Sequence, residues 1–168
     1  MKIKNYKKAL TIIDSCLKTR LLNDIKWRVP LLVLRSDAYE CLDNRIDARQ
    51  SLIKALEQNF LCYEAFYRIT HHHMATKIEE LDILCKLIMK SRSERSRFIS
   101  SFMTDFMIFF YYIQLKKYDK PDRLFIRKPF QLFAENFDFL IAQAERHFYN
   151  FDLVQALEIT SKYGVMKF

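Results

Sequence analysis

Apolar residues recur along most of this chain every three or four positions, the spacing that sets one face of an α-helix against a core. Over residues 2–19 that face carries Ile3, Tyr6, Ala9, Leu10, Ile13, Cys16 and Leu17. The same period predicts helices over 28–42, 46–58, 61–74, 76–90, 94–117, 131–149 and 152–166. Local chemistry places the breaks. Asp43-Asn44 reads as a turn, and Thr76 with Glu79 forms a capping-box pattern. Asp119-Lys120-Pro121 stops the Phe-rich helix, Pro129 closes the loop after it, and Asn150 parts the last two helices, with Asp152 as N-cap. Helices of this length on short connections pack as antiparallel neighbours, so the predicted fold class is all-α.

Helix pairs in series raise the question of repeats, and the tetratricopeptide pattern of about 34 residues fits. That pattern wants small side chains at positions 8 and 20, where the two helices of a pair approach most closely. It also wants an aromatic at 11, a large apolar at 24 and a small residue at 27. With Tyr39 at 11, Ser36 falls at 8, Ala48 at 20, Leu52 at 24 and Ala55 at 27. A second repeat from Tyr63 has Phe66 at 4, Ile69 at 7, Thr70 at 8 and His73 at 11. A third, from Phe137, has Leu140 at 4, Ala144 at 8, His147 at 11, Ala156 at 20 and Thr160 at 24. Residues 1–168 are therefore expected to form a single helical repeat domain. It comprises a half repeat 1–20, a repeat 29–60, a degenerate repeat 63–90, a long helix 94–117, a loop 118–130 and a repeat 137–166. Solenoid ends need polar caps, and neither end carries an obvious one.

Composition narrows the classes. One glycine in 168 residues, against about 12 at average usage, speaks against the positive-φ turns of β-barrels and the glycine loops of dinucleotide or phosphate sites. The basic start, Met-Lys-Ile-Lys-Asn-Tyr-Lys-Lys, has no apolar stretch behind it, so no secretory signal is read. Cys16, Cys41, Cys62 and Cys85 are 25, 21 and 23 residues apart, without a metal or redox spacing, and read as reduced core residues, which favours cytosol or nucleus. Net charge is +8. Residues 86–97 carry five bases and one acid, and 116–128 six bases and two acids, so these clusters together equal that surplus. Solvated charge is their simpler origin, and no nucleic-acid partner is expected. Residues 98–115 have 13 apolar residues in 18. Asp105 near the centre would cost about 2.5–3.5 kcal/mol in a bilayer, so the segment reads as a core helix and no membrane partner is expected.

Candidate chemistry is sparse. His71, His72 and His73 point about 100° apart on a helix, which is wrong for joint chelation, and in the repeat register His73 is a packed position. His147 reads as a satisfied core histidine. Glu79, Glu80 and Asp82 crowd a helix N-terminus, where the helix dipole favours carboxylates without any catalysis. No catalytic residue, metal ligand or cofactor is therefore assigned, and the chain is read as no enzyme. The candidate site is the concave groove at helix-A positions 2, 5, 9, 12 and 13. These are Pro30, Val33, Asp37, Glu40 and Cys41, then Glu64, Tyr67, His71, Met74 and Ala75, then Asp138, Ile141, Glu145, Phe148 and Tyr149. Aromatic and Met residues between carboxylates suit an extended or helical peptide with basic residues. Packing against a neighbouring helix or a dimer mate explains them equally well.

Five runs also carry a resemblance. They are Leu42-Asp43-Asn44-Arg45 after Tyr39, Tyr63-Glu64-Ala65-Phe66, Thr70-His71-His72-His73-Met74, Leu115 to Pro121, and Ala144 to Asn150. In this order they resemble the tetratricopeptide subunit of the anaphase-promoting complex of the cell-division-cycle-sixteen (Cut nine) type, over about residues 6–163. The match includes the insert at 116–121, which generic repeats would not share. Ser36 stands where that family has glycine, and the linker at 18–28 is shorter. The resemblance implies a fragment or shortened version of a scaffold in the cell-cycle ubiquitin ligase that marks mitotic regulators. Its implied partners are other repeat subunits and a second copy of itself, and its implied location is nucleus and cytoplasm. The rival reading is a free-standing repeat adaptor for an unrelated client.

Overall fold

The computed structural model describes residues 2–19, 24–93, 101–115 and 135–162. Among them are eight helices and no strand. Contacts gather in two compact units, Met1–Ser96 and Arg97–Phe168. The sequence predicts a single helical repeat domain over 1–168.

The first unit runs α1 (Lys2–Lys18), α2 (Ile25–Glu40), α3 (Arg45–Gln58), α4 (Tyr63–His71) and α5 (Lys77–Ser93). α2 begins three residues before the predicted start, because Asp24 accepts a hydrogen bond from the Lys26 N–H and caps it. Pro30 thus sits inside the helix rather than in its first turn, where its ring removes one backbone donor. α2 packs along α3, and α1 against α2. At the α2–α3 pair Ser36, Ala48, Ser51, Leu52 and Ala55 are all fully buried. Arg35 ties the layer together: its Nε lies 2.8 Å from Asp14 on α1, and its guanidinium sits 5.1 Å from the Tyr39 ring centre. α3 also carries α4, whose Ala65, Phe66, Ile69 and Thr70 are fully buried. α4 and α5 lack the long face-to-face contact of α2 with α3.

The second unit holds α6 (Ser101–Gln114), α7 (Phe137–Tyr149) and α8 (Leu153–Lys162). α7 packs along α8, with Ala144, Ala156 and Thr160 buried, and α6 packs on α7. Phe109 of α6 stacks on Phe139 at 6.0 Å, beside buried Ile113 and Ala142. The C-terminal end of α6 is the buried part, through Tyr111, Ile113 and the following Leu115, while Phe102 at its start is exposed. α6 has 14 residues, and no described helix is long and apolar enough to cross a membrane. The predicted helical residues 94–100, 116–117, 131–134 and 163–166 and the loop 118–130 lie outside the described residues. The start of α7 is fixed by Asn136, whose side chain accepts from Asp138 N–H at 2.9 Å.

One device closes all three helix-A ends. Asn44, Met74 and Asp152 donate their N–H to the carbonyls of Tyr39, Ile69 and His147, at 2.9, 3.0 and 2.9 Å. The residues just before them, Asp43, His73 and Phe151, donate to Glu40, Thr70 and Phe148. This is the Schellman pattern, which needs a left-handed residue and usually takes glycine. Here Asp43, His73 and Phe151 adopt φ of 58°, 51° and 59° instead. Positive-φ turns are therefore present without glycine. Asp and His tolerate this region better than Phe does.

In the outer pairs the residue that completes the turn also caps the next helix. Asn44 accepts from the Asp47 N–H at 3.2 Å, and Asp152 from the Gln155 N–H at 3.4 Å. The middle pair differs. α4 stops at His71, three residues short of the prediction, and Thr76 opens α5 with a reciprocal box. The Thr76 N–H donates to Glu79 Oε2 at 2.8 Å, and the Glu79 N–H to Thr76 Oγ1 at 3.4 Å. Arg49 of α3 braces that turn, contacting Glu79 at 2.6 Å and the Met74 carbonyl at 3.4 Å. Counted from the caps, Glu80 occupies the place of Ala48 and Ala156, and it is buried.

Candidate functional site

The groove residues fall into two sets, one in each unit. In the first, α2 contributes Val33, Asp37 and Glu40, and α4 contributes Glu64, Tyr67 and His71. Val33 is 7% exposed. It faces the core and lines no groove, because α1 and α3 both pack on α2. Pro30 and Cys41 are exposed, whereas Met74 is buried at the α4 turn. Asp37, Glu40 and His71 are half-buried, and Glu64 and Tyr67 are exposed.

The carboxylates are not bare. Arg68 of α4 ion-pairs with Asp37 of α2 and, 2.8 Å away, with Glu64 one turn back on its own helix. His72 Nδ1 lies 2.7 Å from Glu40 Oε2, and Ser36 Oγ donates to Glu40 Oε1 at 3.4 Å. Arg68 and His72 thus bridge the A helices of two successive pairs. Partial burial pushes the Arg68 guanidinium below its ordinary pKa, although it stays a cation at any physiological pH. Arg68 was not singled out from the sequence. The signal available was its i,i+4 spacing from Glu64; the reach to Asp37 is tertiary.

Beside these ion pairs runs an aromatic ladder. Tyr67 stacks on His71 with ring centres 3.9 Å apart and 23° between planes, and Tyr63 lies 5.8 Å from Tyr67 at 40°. The spacing i, i+4, i+8 drifts slowly around the helix and brings Glu64, three residues before Tyr67, alongside the rings. The three adjacent histidines therefore do different things. His71 stacks, His72 pairs with Glu40, and His73 sits exposed in the turn rather than at the packed position its register implied. That register fails because the Schellman turn closes α4 early. Among the described residues no group of three or more His, Cys, Asp or Glu could hold a metal ion.

In the second unit Ile141, Phe148 and Tyr149 are exposed on α7, and Glu145 is half-buried. Phe148 and Tyr149 meet edge to face, ring centres 5.9 Å apart. Glu145 and Tyr149 border a cleft also lined by Ile113 and Gln114 of α6 and by Leu115 just after it. Arg146 is 7% exposed there, and its guanidinium carbon lies 5.7 Å from the centre of the Tyr112 ring. His147, at position 11, is half-buried with Nδ1 3.1 Å from Asp152 Oδ2. Burial raises the pKa of the Cys62 thiol, which favours the unreactive neutral form.

No family model matches the chain. It is 34% identical over 131 residues to the human cell division cycle protein 16 homolog, covering 78% of this chain and 20% of that protein. Anaphase-promoting complex subunit 6 of Dictyostelium discoideum is 33% identical over 106 residues, 63% of this chain and 11% of its own. Anaphase-promoting complex subunit cut9 of Schizosaccharomyces pombe is 27% identical over 143 residues, 82% of this chain and 20% of its own. Among solved structures, the crystal structure of the anaphase-promoting complex hetero-tetramer Cut9-Hcn1 superimposes with a TM-score of 0.70 at 24% identity. The match covers 96% of this chain and 31% of that one. That likeness gives the fold: helix pairs stacked as a tetratricopeptide solenoid. The chain spans about a fifth of the length of the human and fission yeast relatives. Sequence and fold thus agree over most of these residues, and the chain belongs to the cell division cycle protein 16 (Cut9) family as a segment of its repeat array.

Proposed function

We propose that this chain is a non-catalytic scaffold segment of the anaphase-promoting complex, the cell-cycle ubiquitin ligase, acting in nucleus and cytoplasm. The observation that carries this reading is the 34% identity over 78% of the chain to the human cell division cycle protein 16 homolog. A scaffold role suits the chemistry of the groove, where the carboxylates Asp37, Glu40 and Glu64 engage Arg68 and His72 in ion pairs that join repeats. The contacts made are with other repeat subunits of the ligase and with a second copy of the chain. The exposed A-helix residues offered to partners are Glu64 and Tyr67 in the first unit and, separately, Ile141 and Phe148 in the second.

The test is affinity purification of the tagged chain from its own cells, with co-purifying proteins identified by mass spectrometry. Recovery of the other repeat subunits of the ligase is expected. Recovery of none of them, from a soluble and folded chain, overturns the reading.

A further inference from the structure

The groove between α2 and α4 already holds one arginine. Arg68 seats its guanidinium between Asp37 and Glu64, carboxylates contributed by two different helices. A third carboxylate, Glu40, has His72 at 2.7 Å. In these contacts three carboxylates, Asp37, Glu40 and Glu64, are thus set against one arginine. Glu64 is the most exposed of the three, with 59% of its side chain open to solvent. It stands beside Tyr67, 38% exposed, in the Tyr63–Tyr67–His71 ladder. An open carboxylate next to an aromatic ring suits a planar guanidinium, which can stack and pair at once, better than it suits an ammonium.

We infer that the α2–α4 face, centred on Glu64 and Tyr67, binds an arginine-containing segment of a partner protein, with Arg68 as its intramolecular competitor. The inference rests on the groove reading above and specifies the chemistry of the partner. An incoming guanidinium takes Glu64 and lies against Tyr67, and Arg68 keeps Asp37. Removing Arg68 then frees two carboxylates for the ligand and strengthens binding, the opposite of what loss of a purely structural ion pair would do.

Fluorescence anisotropy with labelled hexa-arginine and hexa-lysine peptides, on the purified full chain at two salt concentrations, tests this. Hexa-arginine is expected to bind more tightly than hexa-lysine of the same charge. Tyr67→Ala is expected to weaken hexa-arginine about five- to tenfold, and Tyr67→Phe to stay within about twofold of the parent. Arg68→Gln is expected to tighten it. If Arg68→Gln loses its helical circular dichroism, Arg68→Lys, which keeps the charge but cannot fork between two carboxylates, is expected to tighten it to a smaller degree. Equal affinity for the two peptides, indifference to Tyr67→Ala, or no tightening on changing Arg68 overturns the inference. The measurement needs no ligase, so its failure leaves the assembly reading standing, and failure to assemble leaves this one standing.

Discussion

Replacing Ala48 by Leu probes the closest approach in the first unit. Ala48 has no exposed surface, and neither do Ser36 across the α2–α3 contact or Leu52 and Ala55 on the same face. Leucine adds three carbons where two small residues let the helices meet, and α1 also packs on α2, which limits how far α2 can back away. Overpacking of this kind costs about 1–3 kcal/mol. For a chain of this length each kcal/mol lowers the thermal midpoint by about 2–4 °C, so a fall of about 2–12 °C is expected. The assay is far-ultraviolet circular dichroism during heating and during urea titration. Ile46→Leu is the control, because Ile46 on the same helix is 68% exposed, and a surface exchange stays within about 0.5 kcal/mol. An Ala48→Leu midpoint matching that of the control would refute the reasoning, since the α2–α3 contact could not then be as tight as its burial implies.

Three further predictions use the same melts. Asp43 at φ 58° sits in the left-handed region, so Asp43→Gly is expected to stabilise by up to about 1 kcal/mol and Asp43→Val to destabilise by about 1–2 kcal/mol. A shift of the same sign for both would contradict the turn geometry. Glu79 is held below its ordinary pKa first by the Thr76 N–H, then by the Arg49 and Thr76 side chains. A depressed carboxylate stabilises above its unfolded pKa of about 4.3, and the contribution is lost as pH falls through the lower folded value. The midpoint gap between the parent and Glu79→Ala should therefore be full at neutral pH and shrink below about pH 4; a gap constant with pH refutes this. Asp152→Ala removes the cap of α8 and the partner of His147 and should cost about 1–2 kcal/mol. Asp152→Asn should recover most of it as a cap; a midpoint as low as that of Asp152→Ala would show that the His147 contact, not the cap, carries the effect.

The legible features were the local ones. Helical period depends on neighbours three and four residues away, so all eight helices could be located. The Thr76–Glu79 box and the Asp152 cap could be read for the same reason, because side chain and backbone partner lie within three residues of each other. The resemblance added the family, since ordered short runs survive where individual contacts do not. Other local features went unread. Asp24 as the cap of α2 is one of them. The Schellman turns were hidden because their usual mark, a glycine, is replaced by Asp43, His73 and Phe151.

What the tertiary structure alone decided lies between helices. It turned Val33 inward, into the packing of α2 against its neighbours. It gave Arg68 to Asp37 across 31 residues of sequence and His72 to Glu40 across 32, so the carboxylates that read as an open groove are the bridge between repeats. By ending α4 one turn early it moved His73 out of the packed set and set Glu80 where a small residue was due. A sequence fixes periodicity and caps because their energies are settled within one helical turn. Which face meets a neighbour, and which charge finds its partner, depends on how many residues each helix holds before it turns, and a single early turn rearranges both.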